Sequence, residues 1–589
     1  MKHVAYYLTE LVVDLLRELG FELSGEIGKD IELVQMTKNA KFGDFQSNHA
    51  FRLAKENRQN PRDLAAQVVQ KFQESDLHSC FEKVEVAGPG FINMTLANSW
   101  IATQIQHMYR DPNCGIVQVP DKTVVIDYSS PNVAKRMHIG HMRSTIIGNC
   151  LDRVYRAKGY RVIADNHIGD WGTQFGKLIV QWNEQVDLVH FEQDPIGELE
   201  RLYVSFAQID EDQKEEKEAQ ARAETAKLQS GDESNLNLWK RFIEASMVEF
   251  NGVYQRLGIS FDEVLGESAY NEQLPSVVSE LQKFEIATDS EGAVVVQFLE
   301  DHSIKRLRGS TLVIQKQDGA FLYGTTDLAT LEYREKTWSP DEIVYVTDTR
   351  QQLHFLQVFE TWNQWRKLRG ESDLKKPILS HTWFGMLKLP EGAMSTRMGN
   401  VIRLIDLLDE AQHRARSVVE EKSPEYSDDD KDRIAEAVGV SSVRYADLSQ
   451  NPQSDVTFSW DKMLSLDGNT APALMYGYAR GRGIQRKAGV LQPHVNDLHI
   501  CDESERDVLV HILKFPIVVE MVVETKKTNL LCDYLFECAN KFNRFYNQNS
   551  VLHAENEAIK KSRLSLVEAF LYIQKKGMEI LGVVPLDRM

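Results

Sequence analysis

Residues 123–165 constrain the architecture more than any other stretch of the chain. TVVIDY (123–128) is a continuous apolar strand, IIGNCLDRVYRAKG (146–159) spaces Ile147, Leu151 and Val154 three and four apart, and YRVIAD (160–165) is a second strand. Strand, helix, strand in that order is the unit of a parallel sheet, because parallel neighbours need a crossover long enough to hold a helix. DEIVYVTD (341–348) and ILSHTWFGMLKL (378–389) supply further strands, and TDLATLEYREK (326–336) a further helix. The sequence therefore predicts a multidomain α/β chain built on a doubly wound, Rossmann-type parallel sheet.

With 589 residues the chain exceeds what one hydrophobic core organises, so other domains must flank this sheet. Ahead of it, PRDLAAQVVQKFQ (61–73) has helical spacing, and FEKVEVAGPGFINMTL (81–96) reads as two strands parted by a GPG turn. The Pro- and Gly-bearing DPNCGIVQVPD (111–121) closes this α+β domain, placed at 1–115. The sheet domain, with helical insertions, is placed at 116–405. Its insertion EDQKEEKEAQARAETAKLQSGDES (211–234) reads as a solvated helix with i,i+4 charge pairs. Beyond it, LMYGYARGRGIQRKAG (474–489) and LLCDYLFECANKFNRFYNQ (530–548) predict an all-helical end, divided into a connecting segment at 406–465 and a bundle at 466–589.

The net charge of −19 taken alone disfavours a polyanionic partner, although local Lys and Arg clusters decide phosphate binding. The six cysteines are scattered with no CxxC spacing, so no zinc site is expected. The N-terminus lacks the apolar run and cleavage site of a secretion signal, and no stretch approaches the roughly 20 apolar residues of a membrane span, so no membrane is expected and cytoplasm is the expected location.

The loop after TVVIDY opens at the carboxyl end of a parallel strand, where open α/β sheets bind their ligands. There SSPN turns the chain and a helix begins near His138, offering unpaired N–H groups and partial positive charge to a phosphate. His138 and His141 share a face of the first turn, and Gly140 lacks a Cβ that would keep a nucleobase or ribose away. Two imidazoles so placed can donate to phosphate oxygens as charge develops. An isolated HxGH string is more often a capped helix with incidental histidines.

The longer string SSPNVAKRMHIGHMRSTIIGN (129–149) resembles the HIGH signature of the class I aminoacyl-tRNA synthetases, and within them the arginyl-tRNA synthetases. GDWGTQFG (169–176), LYGTTDLA (322–329), RQQLHFLQ (350–357) and MSTRMGN (394–400) carry the resemblance over essentially the whole chain. It implies in-line attack of an amino acid carboxylate on the α-phosphate of ATP, then transfer of the aminoacyl group to a tRNA end. The implied partners are L-arginine, ATP with Mg²⁺ as its companion ion, and tRNA(Arg), which such enzymes need even to form the adenylate. A monomer is expected.

Residue by residue, the resemblance implies that His138 and His141 stabilise the ATP phosphates and that Gly140 admits the nucleoside. AMSTR (393–397) departs from the family's KMSKS: Ala393 and Thr396 stand where lysines would, leaving Ser395 and Arg397 as ATP contacts and Lys135 as the compensating lysine. Recognising arginine calls for carboxylates or carbonyls arranged for a planar guanidinium. Asp327 is expected to take it with help from Tyr323, while Asp127 and Asn132 hold the α-amino and carboxylate region and Gln351 adds a contact. His167, Asp170 and Gln174 are expected in the pocket wall, with Trp171 as packing. On the tRNA side, Phe91 and Asn93 are expected to meet an unpaired base of the tRNA elbow. Arg480, Arg486, Lys541 and Arg544, with Arg482, Lys487 and Tyr546 nearby, resemble the anticodon-binding bundle. A non-catalytic tRNA-binding paralogue is the alternative, against which the intact HIGH string and Asp327 speak. A class I enzyme for another amino acid is a third reading: a cysteine enzyme would need the zinc ligands this chain lacks, and glutamate or glutamine would need a positive pocket.

Overall fold

The computed structural model describes residues 3–23, 25–28, 30–37, 39–371, 375–388, 402–490 and 495–589. At the N-terminus, helices Val4–Glu18, His49–Glu56 and Pro61–Glu74 pack on a four-stranded antiparallel sheet in the order Gln35–Met36, Phe45–Ser47, Phe91–Leu96, Phe81–Ala87. The two long strands are joined by the GPG turn, where Gly90 (φ +135°) approaches the Pro61 carbonyl so closely that a Cβ would sit 2.7 Å from its oxygen.

The central sheet has four parallel strands: β1 (Thr123–Asp127), β2 (Arg161–Asp165), β3 (Glu342–Asp348) and β4 (Ile378–Phe384), in spatial order β4-β3-β1-β2. Helix α1 (Ile139–Ala157) covers one face, and α2 (Tyr323–Trp338) and α3 (Gln352–Leu368) cover the other. Alternation divides the strand residues between them. Val124, Ile126, Val344 and Val346 join the core containing Ile147, Leu151 and Val154 of α1, whereas Val125, Ile343 and Tyr345 join that of Leu328, Leu331 and Trp362. Connections leave β1 and β3 in opposite directions, so the crevice between these two strands is the topological switch point.

The stretch between β2 and β3 carries helices Thr173–Gln185, Leu188–Gln193, Pro195–Ala207, Glu211–Gln229 and Glu233–Leu257, then an antiparallel three-stranded sheet, Thr288–Ser290, Ala293–Gln297 and Thr311–Gln315. That small sheet was not foreseen from the sequence. The charged insertion is indeed a mostly exposed helix, seated on Thr173–Gln185 where Gly176 lets the Ala221 carbonyl approach.

From Leu404 onward the described residues form helices joined by short connections, with one strand, Val456–Thr457, that pairs in parallel with Leu387–Lys388 just beyond β4. Phe542 and Phe570 stack face to face at 3.9 Å inside the bundle. Helix α1 is fastened to this C-terminal region along its length. Arg143, fully buried, donates to Asp447 at 2.7 Å and to the carbonyls of Gly385 and Ser454, while Arg444 donates to Asn149 and to Leu257 O. At its C-terminal cap, Lys158 pairs with Glu520. Among the described residues no helix is long and apolar enough to cross a membrane.

Candidate active site

A cleft of about 590 Å³ opens at the carboxyl ends of β1 and β3. Its floor is the SSPNVA loop, in which Ser129, Ser130 and Ala134 all take positive φ (75°, 49° and 63°). Such conformations cost on the order of 1–3 kcal/mol each and persist only where neighbours over-determine them. Here they do: Ser129 N donates to Ser144 Oγ, Ser130 N to Asn166 Oδ1 and Ala134 N to Ser246 Oγ, and the Ser129 hydroxyl meets those of Thr145 and Tyr254.

At the start of α1, His138 is the N-cap. Its Nδ1 accepts from Gly140 N at 3.0 Å, and His141 Nδ1 accepts from His138 N at 3.2 Å. The rings stack at 4.0 Å. With both Nδ1 atoms acting as acceptors, each neutral ring carries its proton on Nε2. Burial, reinforced by Lys135, holds both imidazoles below the ordinary histidine range, and His141, which also feels His138, is pushed down to about 3. The pair is thus neutral at physiological pH and presents two N–H donors, not two cations. A Cβ at Gly140 would lie 2.6 Å from Cε1 of His138, so the glycine first of all makes room for the capping ring.

Opposite these rings, Tyr323 begins α2 and Asp327 follows one turn later; both line the cleft. Asp327 Oδ2 meets His354 Nε2 at 2.5 Å. Burial opposes the charge on that imidazole, but the Asp327 bond prevails and raises it above the usual range. A second carboxylate, Glu267, lies on the same wall and is pushed up to about 8 by burial and by Asp170 and Asp327. The cleft therefore offers two carboxyl groups, Asp327 held by His354 and Glu267 raised by burial, that a planar guanidinium could meet. Glu267, His354 and the buried Arg334 beneath them carry no motif that sequence reasoning could use, although His354 falls within RQQLHFLQ.

Asp127, Asn132 and Gln351 also line the cleft. Asp127 is nearly buried, accepting from Arg334 at 2.6 Å and from the Ser130 hydroxyl at 3.1 Å, whereas Asn132 and Gln351 are exposed. Lys135 is close enough to lower both histidines, but its ammonium lies 4.4 Å over the Tyr203 ring, outside the cleft wall. Of the expected wall residues only His167 is in place. Asp170 instead accepts from the backbone and hydroxyl of Ser268, fixing the turn that presents Glu267; Gln174 donates to Trp171 O. Ser395 and Arg397 lie outside the described residues.

In the N-terminal domain, half-buried Phe91 stacks on Phe51 at 5.5 Å, and Asn93 is buried with its oxygen accepting from Gln46. In the C-terminal bundle, Arg480 lies over both Tyr476 and Tyr546 and donates to Asn543, a cation–aromatic platform at the surface. Lys541 and Arg544 flank Asp507, and Arg486 is turned to the Asp587 carbonyl. Among the described residues no group of three or more His, Cys, Asp or Glu is placed to hold a metal ion.

Comparison with known proteins matches residues 104–460 to the catalytic domain of class I (R) tRNA synthetases, residues 474–589 to the DALR anticodon binding domain and residues 7–96 to the arginyl tRNA synthetase N-terminal domain. The chain is 46% identical over 572 residues to an arginine–tRNA ligase of Fusobacterium nucleatum, covering 95% of this chain and 96% of that one. It is 39% identical to one of Vibrio vulnificus, covering 94% and 95%. Among solved structures, the arginyl-tRNA synthetase of Plasmodium falciparum superposes with a TM-score of 0.82 at 27% identity, with full coverage of both chains. By these matches, the chain belongs to the class I arginyl-tRNA synthetases.

Proposed function

We propose that this protein is an arginine–tRNA ligase that activates L-arginine with ATP, releases pyrophosphate, and passes the arginyl group to the 3′-terminal adenosine of tRNA(Arg), releasing AMP. The observation that carries this reading is that Asp327 and Glu267 share one cleft with the stacked His138–His141 pair. The guanidinium would pair with Asp327 and Glu267, beside the Tyr323 ring. Asp127 would receive the α-ammonium, and Asn132 and Gln351 would steady the amino acid end. The substrate carboxylate then attacks the α-phosphorus in line, its new P–O bond forming as the bond to pyrophosphate breaks. The Nε2–H groups of His138 and His141 donate to phosphate oxygens as charge grows there, in a site where preorganised donors are worth more than in water. In the second step the ribose hydroxyl of tRNA attacks the arginyl carbonyl and AMP leaves. Mg²⁺ would arrive with ATP and neutralise its phosphates. Lys135, Ser395 and Arg397 are proposed as further phosphate contacts.

Phe91 with Asn93, and Arg480 with Arg486, Lys541 and Arg544, are the proposed tRNA contacts. The proposed division is 1–115 for the elbow-binding domain, 116–405 for catalysis, 406–465 for the connection and 466–589 for anticodon binding, in a monomer acting in the cytoplasm. The test is a charging assay with mixed tRNA and each amino acid in turn. Arginine alone should become acid-precipitable with tRNA, and ATP–pyrophosphate exchange should require tRNA; charging of a different amino acid would overturn the assignment.

A further inference from the structure

Three neighbouring strands bring a row of residues together, with Asp165, at the end of β2, in register with Asp127 at the end of β1, and Asp127 in register with Tyr345 in the middle of β3. Residues in register point to the same side of a sheet, and on that side stands Arg334, three turns along the helix whose first two turns hold Tyr323 and Asp327. Arg334 is completely buried. Its Nη2 donates to Asp127 Oδ2 at 2.6 Å and to Asp165 Oδ2 at 2.7 Å, its Nε adds a bond to Asp165 at 3.1 Å, and its guanidinium lies 5.2 Å over the Tyr345 ring. Fixing Oδ2 of Asp127 in this way leaves Oδ1, at the wall of the cleft, to the hydroxyl of Ser130 among the described residues. With both carboxyls ionised, two carboxylates around one guanidinium leave a single net negative charge, although burial pushes the Asp165 carboxyl up against the pull of Arg334. Asp165 Oδ1 and Arg334 Nη1 are buried without a partner among the described residues, so the cluster does not satisfy itself internally.

We propose that Arg334 is a positioning residue that aims Asp127 at the α-ammonium of the substrate, and that the Asp127–Arg334–Asp165 cluster presents a net negative charge to this ammonium. The inference rests on the assignment of Asp127 to the amino group. It gives the deeply buried Asp165, which the cleft does not reach, a part in amino acid affinity.

The test compares two ligands by calorimetric titration of the full-length protein: L-arginine, and 5-guanidinopentanoate, which is arginine without its α-amino group. Arg334→Lys keeps the charge but cannot reach both carboxylates with a fork; Asp165→Asn keeps the shape but cancels the net charge. Each should weaken L-arginine at least tenfold while changing 5-guanidinopentanoate by less than twofold. Equal losses for both ligands, or none for either, would overturn the proposal. Should Arg334→Lys fail to fold, Asp165→Asn decides alone. Asp127→Asn separates the two levels: if it discriminates between the ligands while the other variants do not, only the role of Arg334 falls; if it too treats both alike, the assignment of Asp127 falls and takes the inference with it.

Discussion

Among the carboxyl groups of the cleft, Glu267 is the one held well above its ordinary value. Burial, with Asp170 and Asp327 nearby, raises it to about 8, so in the empty cleft it is protonated at neutral pH. A guanidinium needs it ionised. Arginine binding at pH 7 should therefore release a proton, and a second contribution of the same sign comes from His354, whose raised pKa reflects a bond to Asp327 that the substrate must share. The expected outcome is an arginine affinity that rises as pH climbs from about 6 and levels off above about 8, with proton release visible as a buffer-dependent heat. Glu267→Gln should flatten the upper part of that profile and weaken binding; a profile unchanged by the substitution would remove Glu267 from the site. The same raised value means that ionising Glu267 destabilises the empty protein, so stability attributable to this group is complete below about pH 4.5 and is lost as pH passes about 8. Asp327→Asn keeps size and one acceptor but loses the charge, and should cut kcat/KM for arginine by at least about 10²-fold with a smaller change for ATP, measured by exchange with tRNA present. For His141→Ala the loss should fall on kcat, about 10²–10³-fold, because its donor acts on charge that develops only in the transition state.

The signature helix α1 shows why some of this was legible in the sequence and some was not. Its capping histidines, its apolar spacing and the strands on either side are encoded within a few residues of one another, so strand, turn and helix could be read directly. Tyr323 and Asp327, which the family resemblance named, stand one turn apart on a helix and both line the cleft. Glu267 sits on a short 3₁₀ turn held by Asp170 from nearly a hundred residues away, and Arg334 meets Asp127 across more than two hundred; no local period records such contacts. The antiparallel strands Ala293–Gln297 and Thr311–Gln315 are as long as β1 and β2 and went unread, because no motif marks that stretch of the chain. The fastening of α1 is likewise nonlocal. Arg143 meets Asp447, whose carboxyl burial pushes up while Arg143 opposes the rise. Removing the guanidinium with Arg143→Met strands a buried carboxylate and should cost about 3–5 kcal/mol in urea unfolding, whereas changing both partners to apolar residues should recover much of that loss. Equal losses for the single and double variants would show that Arg143 matters through its carbonyl contacts alone.

At the scale of the whole molecule, the three parts meet at one carboxylate. Glu520, on the C-terminal helix Phe515–Thr525, accepts from Nζ of Lys158 at the end of α1 and lies 2.8 Å from Nε2 of His3, which caps the first helix of the N-terminal domain. The C-terminal bundle, the N-terminal domain and helix α1 are thus joined through two buried cationic or imidazole side chains and one partly exposed carboxylate, despite a net charge of −19. Burial pushes the Glu520 carboxyl up, but the His3 and Lys158 contacts overcome it and hold it down at about 2. A depressed carboxylate contributes its stability above the unfolded value near 4.5 and loses it as pH falls through the folded value. The difference in unfolding free energy between the native protein and Glu520→Gln should therefore be roughly 3 kcal/mol at pH 7 and shrink between about pH 4.5 and 2, measured by urea titration at each pH. A gap that stayed constant through this range would mean that the junction holds by shape and not by charge, and that the three parts are coupled through their apolar contacts instead.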